Sequence, residues 1–507
     1  MGQKLLGDER ADEGNDIDQP ADDQDLCQDS GQSQAQAGAI DEEGGINLTE
    51  VLSTTVDHFF PRFNEWLKGL TDIRDQDVIV YQRETLIWSG LLSLVSKRGA
   101  RMAISHDMRV GNFCENLKRL SGQADLERVP HGDTVEYQFM RLNAEEIDGL
   151  PGKMIRTMLR GRVLEDSRLL KQYYTIAIDA VHMHSFDYEH CEQCLSREDK
   201  VTGRKVWMHI KLQASLVTPD GLCLPVTSEW IENEKDYVKQ DCELLAFYRL
   251  VKRLRQMFPQ LSICVLLDGL YARQSVFDAL KDQRMEWIVV FKPGSMSYIY
   301  TWVMDIKRVC GKKNLIIQRR EEVVAQRCKR NHAERLRRGR PKRQTRCRVT
   351  ETEYSWMAAV AYTPEPERSL FNIMTCHETV DGQLMCDYVW LVSDALKLGE
   401  GTVKELVARG RCRWKIENEG FNTQKNGGYG LEHLYSRDKV SMKVWCALID
   451  VAHIINQLIE KGSLIKLKAF GSVAAIARRI FEDLKFLIFE KPVDPPRIQI
   501  RLGCNTS

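Results

Sequence analysis

The sequence predicts an α/β protein: a mixed sheet with helical regions before and after it. Three observations carry that prediction. Two β-branched apolar runs, Tyr173-Tyr174-Thr175-Ile176-Ala177-Ile178-Asp179 and Cys264-Val265-Leu266-Leu267-Asp268, each read as a buried strand closing on an aspartate. Between them, the turns Asp199-Lys200-Val201-Thr202-Gly203 and Pro219-Asp220-Gly221 join adjacent strands. Further on, Arg411 to Lys425, led by Val403, Leu406 and Val407 behind Gly401-Thr402, reads as one long helix with charged groups on an otherwise apolar surface.

In chain order, residues 1–45 are acidic, nearly free of aromatics and expected to be disordered. Residues 46–170 show helical spacing over Val51 to Leu67, Glu84 to Lys97 and Val110 to Leu120. A break at Arg128 to Val135 follows, and the spacing resumes through Met140, Ile147 and Ile155. The core begins near Gln172. A strand ends at Asp179, and the segments Val206–Leu216 and Leu222–Trp230 are the next strands. A helix from Val238 to about Met257, the strand ending at Asp268, a helix Gln274–Lys281 and a strand Glu286–Lys292 complete residues 171–295. Residues 296–395 read as β-rich, with strands at Ile316–Ile317, Glu353–Ala361, Leu370–Thr375 and Asp387–Val392. Residues 396–460 carry the Arg411–Lys425 helix and a second helix, Lys439–Lys461. The last segment, 461–507, adds a helix around Ser472–Phe489 before Pro492, Pro495 and Pro496.

A carboxylate at the tip of a buried strand, followed by a small residue, stands where open α/β sheets put their chemistry, though a turn-forming Asp has the same look. Two such aspartates and Glu417 on a helix make an all-oxygen set suited to hard divalent cations. On a helix, Arg413, Glu417, Phe421 and Gln424 share a face. Over roughly residues 130 to 460 the chain resembles the DDE transposases of bacterial insertion sequences whose ribonuclease H-like catalytic domain is interrupted by a β-rich insert. The resemblance rests on Asp179, Asp268, Trp390-Leu391-Val392-Ser393 and Arg413-Trp414-Lys415-Ile416-Glu417. The family signature places a Tyr three residues before the Arg and a Lys seven after the Glu. Here those positions are Gly410 and Gln424, with Lys425 one residue later.

The resemblance implies a ribonuclease H-like sheet and cut-and-paste movement of an element by hydrolysis and strand transfer, through hairpin intermediates. It implies two Mg²⁺ ions per site, with Mn²⁺ able to substitute, held by Asp179, Asp268 and Glu417. Arg413 and Lys425 would meet DNA phosphates, and Trp390 would stack on a base turned out of the duplex, with a place in the sheet core as the other reading of that residue. Residues 46–170 would bind element ends. Partners would be double-stranded DNA, as element ends and target, and a second copy of the chain; the setting would be the bacterial cytoplasm, at the nucleoid.

Composition bears on these expectations. Lys plus Arg and Asp plus Glu balance at 72 each, but residues 1–45 hold thirteen acids against two bases, leaving the remainder basic by eleven. The tract Arg327 to Arg348, with Arg338, Arg340, Lys342 and Arg343 at its centre, points to polyanion contact, and Arg338-Gly339-Arg340-Pro341 is similar to the core of an AT-hook. Fifteen scattered cysteines and the lack of an apolar leader fit reduced thiols in a cytoplasmic protein, and no uncharged run reaches membrane-span length. His190-Cys191-Glu192-Gln193-Cys194 has the look of half a zinc site. No second pair at ligand spacing follows, only single His209 and Cys223, so unligated thiols stand beside zinc as a reading. No Gly-x-x-x-x-Gly-Lys-Ser/Thr loop is present, against an ATP-driven enzyme. A DNA-binding protein descended from a transposase, without strand transfer, and a stand-alone metal nuclease are the other readings. Glu419, Glu229, Asp241 and Glu243 are further acids that the sequence leaves near or away from the site.

Overall fold

The computed structural model describes residues 46–235, 237–310, 314–326, 344–361, 370–490 and 499–502. The acidic stretch 1–45 and the tract residues Arg338, Arg340, Lys342 and Arg343 lie outside the described residues. The described residues from Asn47 onward form one packed unit, so the segments separated above at 170, 295, 395 and 460 are parts of a single body.

Its centre is β1 (Tyr174–Phe186). This strand pairs antiparallel with β3 (Lys205–Val217) on one side and parallel with β5 (Ile263–Leu267) on the other. β2 (Leu195–Glu198) and β4 (Cys223–Ile231) follow each other along the far edge of β3. β6 (Glu286–Val290) runs parallel to β5, and all five β5 residues are buried, as in a parallel strand covered on both faces.

Residues expected to form a β-rich insert do so, but as an extension of this sheet. β10 (Gln383–Ser393) pairs with β6, and β9 (Leu370–Val380), β8 (Gln344–Ala361) and β7 (Leu315–Gln326) continue outward as antiparallel neighbours. The described residues thus give a ten-stranded mixed sheet. Both short turns form where the sequence places them. Asp199 accepts from the backbone N–H groups of Val201 and Thr202 at 2.9 and 2.8 Å, and Gly221 takes a φ of 95° that only glycine adopts without strain.

The helical region before the sheet runs through α1 (Leu48–Phe59), α2 (Phe63–Lys68), α3 (Arg83–Val95), α4 (Arg101–His106), α5 (Phe113–Ser121), α6 (Gly132–Phe139) and α7 (Ala144–Arg160). The single helix expected over Val51 to Leu67 is split, because Pro61 lacks the N–H that a continuous helix needs. The break expected at Arg128 to Val135 ends early: His131 caps α6, its Nδ1 accepting from Asp133 N at 3.3 Å. Then α8 (Glu243–Met257), α9 (Gln274–Asp282), α10 (Ser297–Cys310) and α11 (Val403–Arg411) alternate with the strands.

The longest helix, α12 (Lys439–Lys461), is capped by Asp438 and packs on α1, α3, α7 and β4, with α13 (Val473–Phe486) against α1 and α5. α12 is long and apolar enough to cross a membrane by length and composition, although Asp450 interrupts its apolar run, and 94% of that window is buried inside the fold. Its hydrophobicity is that of a core helix.

Candidate active site

Asp179 is not at the tip of its strand. β1 runs on to Phe186 because β3 pairs with it the whole way, whereas β5 pairs only as far as Ala177↔Leu266. Continuing that parallel register by two residues sets Asp179 opposite Asp268, across a strand spacing of about 4.8 Å. The sheet edge at which parallel pairing stops therefore does for Asp179 what a strand end does for Asp268. Asp268 also serves as a turn former: its Oδ1 accepts from Leu270 N at 2.9 Å, opening a short 3₁₀ turn, Gly269–Tyr271. Both readings of that aspartate hold at once, since the turn fixes where the carboxylate stands.

Glu417 arrives from the other side of the site. The long helix expected there is interrupted: α11 ends at Arg411, and Ile416–Asn422 is a π-helical segment, leading into an α-helical turn at Thr423–Asn426. Val403, Leu406 and Val407 are buried as their spacing predicts, while Thr402 makes no side-chain cap. The wider π turn carries its buried residues Ile416, Gly420 and Phe421 against the sheet, where a Cβ on Gly420 would lie 3.1 Å from the Cys223 sulfur.

Arg413 joins the two sides. Its Nη2 lies 2.7 Å from Glu417 Oε1 and its Nη1 3.4 Å from Asp179 Oδ2, and its guanidinium stacks 4.2 Å from the Trp414 ring centre. At 4% exposure, Arg413 is committed to the carboxylates; the phosphate contact expected of it is not what its position offers. Burial, countered by Arg413 and reinforced by the negative charges of Glu417 and Asp268, raises Asp179 to about 7. Three carboxylates from three elements thus lie in one region with one cation among them. Among the described residues the one group whose ligand atoms all lie within 4.8 Å of one another is elsewhere, at His190, Cys191, Cys194 and His209, and the three carboxylates do not form such a group.

The other expected residues sort by burial. Trp390 is 1% exposed near the end of β10, paired to Val290 and Met374, so of its two readings the sheet core holds and the stacking role is corrected on that ground. Trp414, 39% exposed beside Arg413, is the aromatic that faces outward at the site. Gln424 is fully buried and donates to Asp450 Oδ1 at 2.9 Å, so the family's lysine position points into the core. Lys425 pairs with Glu432 at 2.7 Å. Glu419 is held by Lys415 at 3.2 Å. Glu229 and Asp241 bind Arg249 at 2.7 and 2.6 Å, in an ion-pair group on β4 and α8.

Glu243, one of the acids whose place the sequence left open, pairs with Tyr271, which the sequence did not single out. The Tyr271 hydroxyl, fully buried, donates to Glu243 at 2.6 Å. Burial and the nearby Asp268 raise the Glu243 carboxyl against that hydrogen bond. Beside Asp268, Arg273 and Lys292 line an open depression with Gly269, Gly294 and Ser295, a cationic approach to the acidic centre. No local motif marks these groups; only the fold brings them in. The chain matches no known protein family and no curated protein.

Proposed function

We propose that the protein is a metal-dependent DNA strand transferase of the DDE transposase kind, built on a ribonuclease H-like sheet. The observation that carries this reading is that Arg413 pairs with both Asp179 and Glu417, while Asp268 stands close enough to Asp179 to raise its carboxyl. The strand order β4-β3-β1-β5-β6, with β1, β5 and β6 parallel, agrees with the sheet such enzymes use.

Asp179, Asp268 and Glu417 would hold Mg²⁺, or Mn²⁺ in its place, and the bound cation would supply the positive charge that an in-line displacement at phosphorus needs. Asp179 must shed its proton for that role, and Arg413 lowers the cost of doing so. Arg413 also holds the Glu417 carboxylate by an ion pair, so that the third ligand would be oriented before DNA arrives. Arg273 and Lys292 would guide the phosphate backbone toward Asp268. Trp414 is the side chain we assign to stacking with an unpaired base, in place of Trp390. Strand transfer at two ends would be performed by two copies of the chain.

A second reading, a DNA-binding descendant without strand transfer, draws on Gly410 and Gln424, whose positions are given to packing and to a buried hydrogen bond. The test incubates the protein with labelled linear DNA carrying the sequences that flank its gene, with Mg²⁺ or Mn²⁺. Wild type is run beside Asp179→Ala, Asp268→Ala and Glu417→Gln. Metal-dependent nicking at the end junction, lost in all three variants, is expected. Binding without cleavage by the wild type would overturn the transferase reading in favour of the second.

A further inference from the structure

The loop between β1 and β2 carries His190, Cys191 and Cys194, and β3 carries His209 opposite His184 of β1. The fold supplies the fourth ligand-type side chain that sequence spacing lacked. Cys191 Sγ lies 3.6 Å from Cys194 Sγ; His209 Nε2 lies 3.7 and 3.4 Å from those sulfurs and 3.2 Å from His190 Nδ1. All four donor atoms fall within 4.8 Å of one another. A tetrahedral zinc ion, with Zn–S of about 2.3 Å and Zn–N of about 2.0–2.1 Å, has edges of about 3.8 Å between sulfurs, about 3.5 Å between sulfur and nitrogen and about 3.4 Å between nitrogens. The four contacts given above match those edges to about 0.2 Å, and a disulfide would need an S–S distance of about 2.0 Å.

A second, independent observation concerns the far side of His209. This ring is 1% exposed, and its Nδ1 has no hydrogen-bond partner among the described residues. Nδ1 faces Glu232 Oε1 at 4.0 Å, an atom likewise buried and without a partner, while Lys443 holds the other Glu232 oxygen at 2.6 Å. Metal-bound imidazoles commonly donate their second N–H to a carboxylate, which fixes the tautomer that leaves Nε2 to the metal, and Glu232 is the carboxylate that Nδ1 faces. Phe186 stacks on His190 at 4.5 Å and closes the apolar side.

We propose that His190, Cys191, Cys194 and His209 bind one structural zinc ion. Two thiolates and two neutral imidazoles neutralise Zn²⁺, and binding releases the two thiol protons to solvent. Four protein donors fill the tetrahedron, so the site holds structure and offers no open position for a substrate. It ties the β1–β2 loop to β3, and Asn233, in the segment after β4, holds the same loop by donating from Nδ2 to Cys194 O at 2.7 Å. The site is separate from the acidic centre, since His209 lies four residues along β3 from Gln213, the register partner of Asp179, or about 13 Å.

The test measures metal by plasma mass spectrometry on the purified full chain after dialysis. About one zinc per chain is expected, falling to background in Cys191→Ser/Cys194→Ser and unchanged in Glu417→Gln. Should the double variant not fold, the wild type decides: exchange with Co²⁺ should give the visible bands of a tetrahedral ion and near-ultraviolet thiolate charge transfer. Wild-type protein that carries no stoichiometric zinc and takes up Co²⁺ without those bands overturns the proposal. So does zinc content unchanged in a folded double variant.

Discussion

Gly410 lies directly against Trp390: a Cβ at position 410 would come within 2.9 Å of the indole Cε2 and Nε1. The residue that stands where the family has a tyrosine is thus small because the neighbouring strand fills the space. Gly410→Ala should lower stability by about 1–3 kcal/mol through overpacking, less the roughly 0.5–1 kcal/mol that alanine gains within a helix. Gly410→Tyr should fail to fold or lose far more. Trp390→Ala should cost about 3–5 kcal/mol. Urea unfolding of the variants reads this, and a stable Gly410→Tyr protein would contradict the packing described.

Trp414 separates packing from function. At 39% exposure its replacement by alanine should leave the unfolding midpoint nearly unchanged. Binding to DNA with an unpaired terminal base should weaken by about 1–3 kcal/mol, measured by fluorescence anisotropy. Equal affinity for paired and unpaired ends in both proteins would remove Trp414 from the stacking role.

Arg413 sets the pH at which the acidic centre can ionise. Asp179 stands at about 7 with Arg413 in place, which pulls it down against burial. In Arg413→Gln that pull is gone, so Asp179 keeps its proton to still higher pH. The acid limb of the nicking rate against pH should move upward, and the rate at neutral pH should fall about 100-fold as Glu417 loses its orienting partner. Arg413→Lys keeps the charge without the fork that reaches both carboxylates, and should recover the pH position but little of the rate. Single-turnover cleavage across pH checks both.

Much of this was legible in the sequence, for a physical reason. Tyr173 to Asp179 and Cys264 to Asp268 are strands buried on both faces, so their residue types alone identify them, and the turns at Asp199–Gly203 and Pro219–Gly221 use residues whose chemistry is local. Three features were not legible because they depend on partners far along the chain. β1 continues past Asp179 because of β3. The π turn around Glu417 follows from packing that no helical spacing encodes. His209 gained a meaning only when β3 brought it to Cys191 and Cys194.

Gln424 illustrates the same point and yields a further prediction. Asp450 accepts from Gln424 on one oxygen and from Lys211 on the other, at 2.9 Å each, with all three side chains buried. Restoring the family's lysine by Gln424→Lys would put a second cation on one buried carboxylate. The variant should lose about 3–5 kcal/mol and gain no cleavage. Lys211→Met alone should lose a similar amount, and Lys211→Met/Asp450→Leu should recover part of it, because the pair is removed together. Urea midpoints of the three proteins test this; a Gln424→Lys protein as stable as wild type would show that the site takes a second charge after all.

His453, on α12, makes stability depend on acid. Burial holds it at about 3, well below its ordinary 6.5, with Lys97 adding to the depression. The folded form binds a proton less readily than the unfolded chain, so the stability His453 contributes is present above about pH 6.5 and is lost as pH falls toward 3. The loss proceeds at up to about 1.4 kcal/mol per pH unit, or about 2 kcal/mol between pH 6.5 and 5. His184, held at about 4 chiefly by burial, adds a loss of the same sign. His453→Gln carries no titrating ring, so its unfolding midpoint should drop less than that of the wild type over the same interval. Chemical unfolding at pH 7 and pH 5 measures the difference, and parallel losses in the two proteins would assign the acid sensitivity to other groups.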